Sequence, residues 1–267
     1  MRDVRPAAVA GSFYPESPTR LAAQVQSYLA GAAGAGGAAP KAVIVPHAGY
    51  VYSGPVAATA YARLASLRDT VTRVVLLGPT HRVPVRGLAV PQARAFATPL
   101  GEVALDAAAI RAASALPQVI ADDDAHAAEH ALEVQLPFLQ SVLGTFTLVP
   151  LAVGRATPDD VAAVLDGLWG GTETLIVVSS DLSHYHTYAD AQRIDRDTAD
   201  AILALSPNLD HEQACGAVPI NGLLTCARHR GLEPVLLDLR NSGDTAGDRL
   251  RVVGYASFAF TDHGTRH

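Results

Sequence analysis

The residues of this chain best placed to do chemistry are histidines that follow apolar runs. "KAVIVPHAGYVYSG" (Lys41 to Gly54) brings His47 to the end of what reads as a buried strand, and "LLGPTH" does the same for His81. A third run, "LIVVSSDLSHYH", leads to Asp181 and then His184, a three-residue spacing that a helical turn would place on one face. Imidazole and carboxylate bind metal ions and move protons near neutral pH. Each residue alone has an ordinary reading, as a hydrogen-bonded loop histidine or as the Asp or Ser that opens a helix. Their repetition at three strand ends favours one shared site. Pro46 with Gly49, and Gly78 with Pro79, add turns through which backbone can approach a ligand.

Two further segments carry candidates. In "ADDDAHAAEHALEVQLPFLQ", Glu129 and Glu133 would share a helix face with His130 beside them. His126 and the three aspartates read as a solvated face, whereas "ALEVQLPFL" reads as a core helix whose N-terminus would turn His130 inward. Cys215 lies in "EQACGAVPINGLL", where it is either a small apolar filler or a donor. Facing His47 and His81, it would complete a set of two imidazoles and a thiolate suited to iron, copper or zinc. Cys226, inside "NGLLTCARHRG", reads as filler.

The elements that must position these groups are short β-branched runs at 42–45, 72–78, 146–154, 174–181 and 251–260. Between several of them lie alanine-rich segments of helical period, "GPVAATAYARLASL", "TPDDVAAVLDGLW" and "YADAQRIDRDTADAILAL". That alternation predicts an α/β fold in a single domain over 1–267, with a mostly parallel central sheet and helices on both faces. In such sheets the ligand site lies beyond the carboxyl ends of the strands. A first helix is expected over Thr19 to Leu29, followed by a flexible linker, "AGAAGAGGAAP" (Ala30 to Pro40). The linker contains a loose GxGxxA, but that pattern precedes the strand, and phosphate cradling needs it to follow one.

Composition narrows the function classes. A net charge of -6 with scattered arginines argues against a nucleic-acid partner. Although 49% of the residues are hydrophobic, no apolar run approaches the roughly 18 residues of a membrane span, so no membrane association is expected. The N-terminus lacks the apolar stretch of a secretory signal, which points to the cytoplasm. Two cysteines without CxxC spacing give neither a disulfide framework nor a zinc-finger half.

Read in order, "AGSFYP", "PHAGYVYSG", "LGPTH", "EHALEVQLPFL", "VPLAVG", "VVSSDLSHY", "CGAVPI" and "GYASFAF" run along nearly the whole chain. This set of motifs resembles the Memo family, whose bacterial and archaeal members are called AmmeMemoRadiSam system protein B. The resemblance implies a fold similar to the class III extradiol ring-cleaving dioxygenases of the LigB type. It also implies a mononuclear metal ion held by His47, His81 and Cys215, in a pocket that includes Asp181, His184 and His130. His186, the extra histidine of "SHYH", is not required by the motif and reads as a surface residue or one behind the site. Partners implied by resemblance alone are a radical-SAM protein and an AMMECR-type protein, along with a small-molecule or peptide ligand.

The combined expectation is a redox-active centre, with iron first and copper or zinc next, and a dioxygenase-like pocket. There His184 would act as acid or base, Asp181 would orient it or hold a metal-bound water, and His130 would sit on the opposite wall. Fold similarity does not transfer chemistry, and a thiolate in place of a carboxylate softens the site. The alternatives are therefore a non-catalytic metal-handling or peptide-binding protein, and a zinc-dependent hydrolase.

Overall fold

The computed structural model describes residues 3–32 and 37–262. Its centre consists of four adjacent parallel strands, β2 (Ala42–Val45), β9 (Thr174–Ser179), β3 (Arg73–Pro79) and β8 (Thr147–Val153). These are the runs of Val, Ile and Leu picked out in the sequence, and nearly every residue in them is buried, as strands covered on both faces require. Alternate side chains go to opposite faces: Ala42 and Ile44 join one apolar cluster, Val43 and Val45 the other. On the first face pack α3 (Ala107–Ala113), α6 (Pro158–Leu168), α7 (Tyr188–Leu203) and α8 (Ala217–Arg230). On the second pack α1 (Pro18–Ala32), α2 (Tyr50–Arg63) and α5 (Leu136–Val142). The expected α/β layering is present.

Antiparallel pairings extend the sheet on both sides. β12 (Val252–Asp262) pairs with β2, with β11 (Leu232–Asn241) and with β10 (His184–His186). On the other side β4 (Leu88–Val90) runs antiparallel to β8 and carries β7 (Val119–Ala121) in parallel. A small separate sheet joins β1 (Val4–Arg5), β5 (Ala95–Thr98) and β6 (Gly101–Ala104).

Local chemistry fixes the helix ends. Thr157 and Asp160 cap α6 reciprocally, and Gly231 ends α8 at φ 68°, a conformation costly for any residue with a Cβ. Pro219 falls in the first turn of α8, where a missing N–H costs nothing, so it does not break the segment. The first helix runs three residues into the segment read as a linker, and residues 33–36 lie outside the described residues. Two short helices, α4 (Asp124–Ala127) and α9 (Ser242–Thr245), complete the chain.

The solvated-face reading is corrected for His126, whereas Asp122, Asp123 and Asp124 are partly or fully exposed as expected. His126, Glu129 and Glu133 are all buried, and Glu129 and Glu133 lie on no common helix, because α4 stops at Ala127 and a 3-10 turn begins at Glu133. The ring of His126 donates from Nε2 to the carbonyl of Ala89 at 2.9 Å, and burial pushes the imidazole down to about 4. The unfolded chain therefore takes up this proton first, near the ordinary value of about 6.5. Stability should fall as the pH drops from about 6.5 to about 4, at a slope of up to roughly 1.4 kcal/mol per pH unit for this residue. Urea melts across that range should show a shallower slope for His126→Gln; an identical slope would contradict the assignment.

Candidate functional site

The strand order brings the expected groups together. Because β2, β9 and β3 are neighbours running the same way, their carboxyl ends place His47, Asp181 and His81 side by side. His130 arrives from the turn after α4. The rings of His81 and His130 stack at 4.6 Å, and His47 meets both edge-on at 5.2 and 5.3 Å. One ligand-type atom from each of the three lies within 4.8 Å of the others. Donors at about 2.0–2.1 Å from a metal ion sit roughly 3–4 Å apart, so little movement would close these imidazoles on one ion. His130 thus belongs to the cluster and does not stand on the opposite wall.

Proton positions follow from partners. Ser179 Oγ donates to the carbonyl of Ala131 at 2.6 Å and accepts from Gln135 Nε2 at 2.8 Å. Gln135 is oriented by Tyr61, which donates to its Oε1, and by the Pro46 carbonyl, which accepts from its Nε2. The Ser179 hydroxyl has no proton left, so His47 Nδ1, 2.9 Å away, must be the donor and Nε2 carries a free lone pair. Likewise His81 Nδ1 donates to Glu129 Oε1 at 2.9 Å, which frees its Nε2. His130 Nδ1 is buried without a hydrogen-bond partner; Glu129 Oε1 lies 3.3 Å away outside bonding geometry. Two oriented lone pairs and one orphaned ring nitrogen are what a metal ion would satisfy. The residues present fit such an ion.

Electrostatics agree with this arrangement. Burial, followed by repulsion from His81, holds His47 down to about 3, and burial with His47 close by holds His130 to about 4, so both imidazoles are neutral at neutral pH, the form in which they could bind a metal ion. Burial also opposes the charge on Glu129, but hydrogen bonds from His81 and from backbone N–H groups outweigh it and bring the carboxyl to about 2.

Cys215 reaches the same place from the turn before α8. Its Sγ is 3.3 Å from His47 Nε2 and 3.6 Å from the carbonyl of Asp181. Gly216 permits this approach, since a Cβ there would stand 2.6 Å from that of Ser180. Burial, then the Asp181 charge, pushes the thiol up to about 12, so the sulfur is protonated unless a cation displaces the proton.

Asp181 and His184 do not share a helical turn. Asp181 lies in the loop after β9, its Oδ1 accepting from the backbone N–H groups of His47 at 2.7 Å and Ala48 at 3.3 Å, and burial raises its pKa. His184 opens β10 and is half-buried in the wall of a cleft of about 810 Å³, in which His47, His81 and His130 are also exposed to the ligand space. Sequence reasoning missed Glu129 as the acceptor behind His81, Ser179 and Gln135 behind His47, and Phe13, whose ring packs on His130 at 4.7 Å. Only Glu129 left a local signal, its position directly before His130.

Residues 5–259 match the family profile described as Memo-like protein. A MEMO1 family protein of Sulfolobus acidocaldarius is 35% identical, the alignment covering 97% of this chain and 100% of the relative. One from Aeropyrum pernix is 36% identical, with 94% and 98% covered. Among solved structures, an uncharacterised protein of Escherichia coli K12 is similar with a TM-score of 0.51 at 15% identity, over 81% of this chain and 98% of that one. That last likeness concerns the fold alone.

Proposed function

This chain belongs to the Memo-like protein family, and from that premise we propose that it is a mononuclear metal protein whose open cleft receives a small organic or peptide ligand. The observation that carries this reading is the convergence of His47, His81 and His130, with the Nδ1 protons of His47 and His81 taken up by Ser179 and Glu129 so that their Nε2 atoms carry the lone pairs. Cys215, in contact with His47, adds a soft donor once deprotonated. Imidazoles with a thiolate suit iron, copper or zinc, and iron is placed first because the family resembles, in fold, dioxygenases that hold a mononuclear non-haem iron. When bound, such an ion would supply redox or Lewis-acid chemistry to a ligand in the cleft.

The chain's own residues do the rest. Asp181 fixes the Pro46–Ala48 turn through two backbone N–H groups and so aims His47. His184, on the cleft wall, can take or give a proton to a bound ligand. Tyr52, Tyr185, Arg82 and Arg251 also line the cleft and offer aromatic and cationic contacts.

Elemental analysis of protein purified without oxygen tests the reading. Near-stoichiometric iron in the wild type, lost in His47→Ala and in His81→Ala, is the expected result. Comparing Cys215→Ala with His130→Ala then shows which supplies the third bond: the variant that loses the ion identifies it. Zinc in place of iron would move the reading to hydrolysis, and no bound metal would overturn it.

A further inference from the structure

Two separate spaces meet at the candidate metal centre. The cleft of about 810 Å³ is bordered by His47, His130 and Asp181. A second cavity, of about 270 Å³, is bordered by Cys215, Thr80 and Val218, with Arg155 and His211 at its exposed rim. His81 borders both. Cys215 borders only the small cavity and His47 only the cleft, so their 3.3 Å contact is part of the partition between the two.

We propose that the small cavity is a second entrance, which admits an uncharged molecule of a few heavy atoms to the Cys215 and His81 side while the cleft holds the larger ligand. Size supports the division of labour. Pockets that enclose organic ligands span roughly 300–1,000 Å³, and a water occupies about 30 Å³, so the cleft fits well within the first class, whereas the cavity falls just below it and holds at most about nine water volumes. Lining chemistry supports the ligand class. Val85, Val153, Val218 and Pro219 make most of the wall apolar, and among the described residues no carboxylate borders it and the one fixed charge is Arg155 at the exposed rim, so apart from the donors His81 and Cys215 nothing there attracts a cation. The role as a co-reactant channel rests on the metal-centre reading above, whereas the accessibility of Cys215 from this side does not.

Thiol labelling of metal-free protein tests the entrance directly. In a Cys226→Ala background, Cys215 is the single thiol, and its modification by methyl methanethiosulfonate is followed by mass spectrometry. Val218→Phe, which adds bulk to the cavity wall, should slow labelling about tenfold or more relative to the parent, since the two share the same thiol and differ in access to it. Pro84→Trp, on the exposed rim, should slow it as well and serves if Val218→Phe does not fold. Tyr185→Ala, which widens only the cleft, should leave the rate unchanged. Unchanged labelling in the cavity variants, or faster labelling in Tyr185→Ala, would overturn the entrance whatever metal the protein holds. Slowed labelling in a protein that binds no metal would keep the entrance and remove only its proposed purpose.

Discussion

Glu133→Ala should lower the stability of the protein by about 3–5 kcal/mol, the loss seen when one partner of a buried ion pair is removed. Glu133 is fully buried and pairs with the guanidinium of Arg5, itself buried. The same carboxylate accepts from the backbone N–H groups of Ala8 at 2.7 Å and Val9 at 3.0 Å, and from the hydroxyl of Tyr14. Alanine would leave the buried Arg5 cation with only the carbonyls of His126 and Glu129, and would strip one buried N–H group, one part-buried N–H group and a phenol of their acceptor. In a chain of this size the melting temperature should fall by on the order of 10 °C. The effect should reach the site, because the segment tied down by Glu133 carries Phe13, whose ring packs on His130. Denaturant melts of wild type, Glu133→Ala and Glu133→Gln would check this, with glutamine intermediate because it keeps one acceptor. A loss below about 1 kcal/mol for alanine would show that the network is strained or already hydrated.

That carboxylate also marks where the sequence stopped being legible. The central strands could be read from their β-branched runs, because burial on both faces leaves a local signature, and the neighbouring strand ends then placed His47, Asp181 and His81 together. β11 was not foreseen: Pro234 and Asp238 interrupt its apolar pattern, as an edge strand allows and a central one would not. Glu129 and Glu133 look alike on paper, four residues apart in a polar stretch. Their partners, His81 in one case and Arg5 in the other, lie 48 and 128 residues away, and no local pattern encodes contacts of that range. The helical spacing of Asp181 and His184 misled for the opposite reason. Pairing of His184 with Val253 draws the segment into a strand, and a tertiary contact overrides a local period.

If the proposed centre holds its ion through His81, Glu129→Gln should weaken metal binding by roughly 10–100-fold, the usual cost of losing the group behind a ligating histidine. The native carboxylate accepts four N–H groups: Oε2 takes the backbone of His81 at 2.6 Å, while Oε1 takes His81 Nδ1, His130 N and Ala131 N, each at 2.9 Å. An amide matches the shape but has one oxygen. Whichever way it is turned, its NH2 faces at least one donor, and the His81 ring or its backbone loses its anchor. The charge matters as well, since a carboxylate held ionised down to about pH 2 keeps a full negative charge behind the ring it orients. The same shift sets a second readout in metal-free protein. Glu129 is harder to protonate in the fold than in the unfolded chain, so its stabilisation is complete above the ordinary carboxylate value of about 4.5 and fades as the pH falls towards 2. Chelator competition measures the first effect and acid denaturation the second. A variant that kept wild-type metal affinity while losing the acid-dependent stability would make Glu129 a structural anchor only, and would move the orientation of His81 to its backbone.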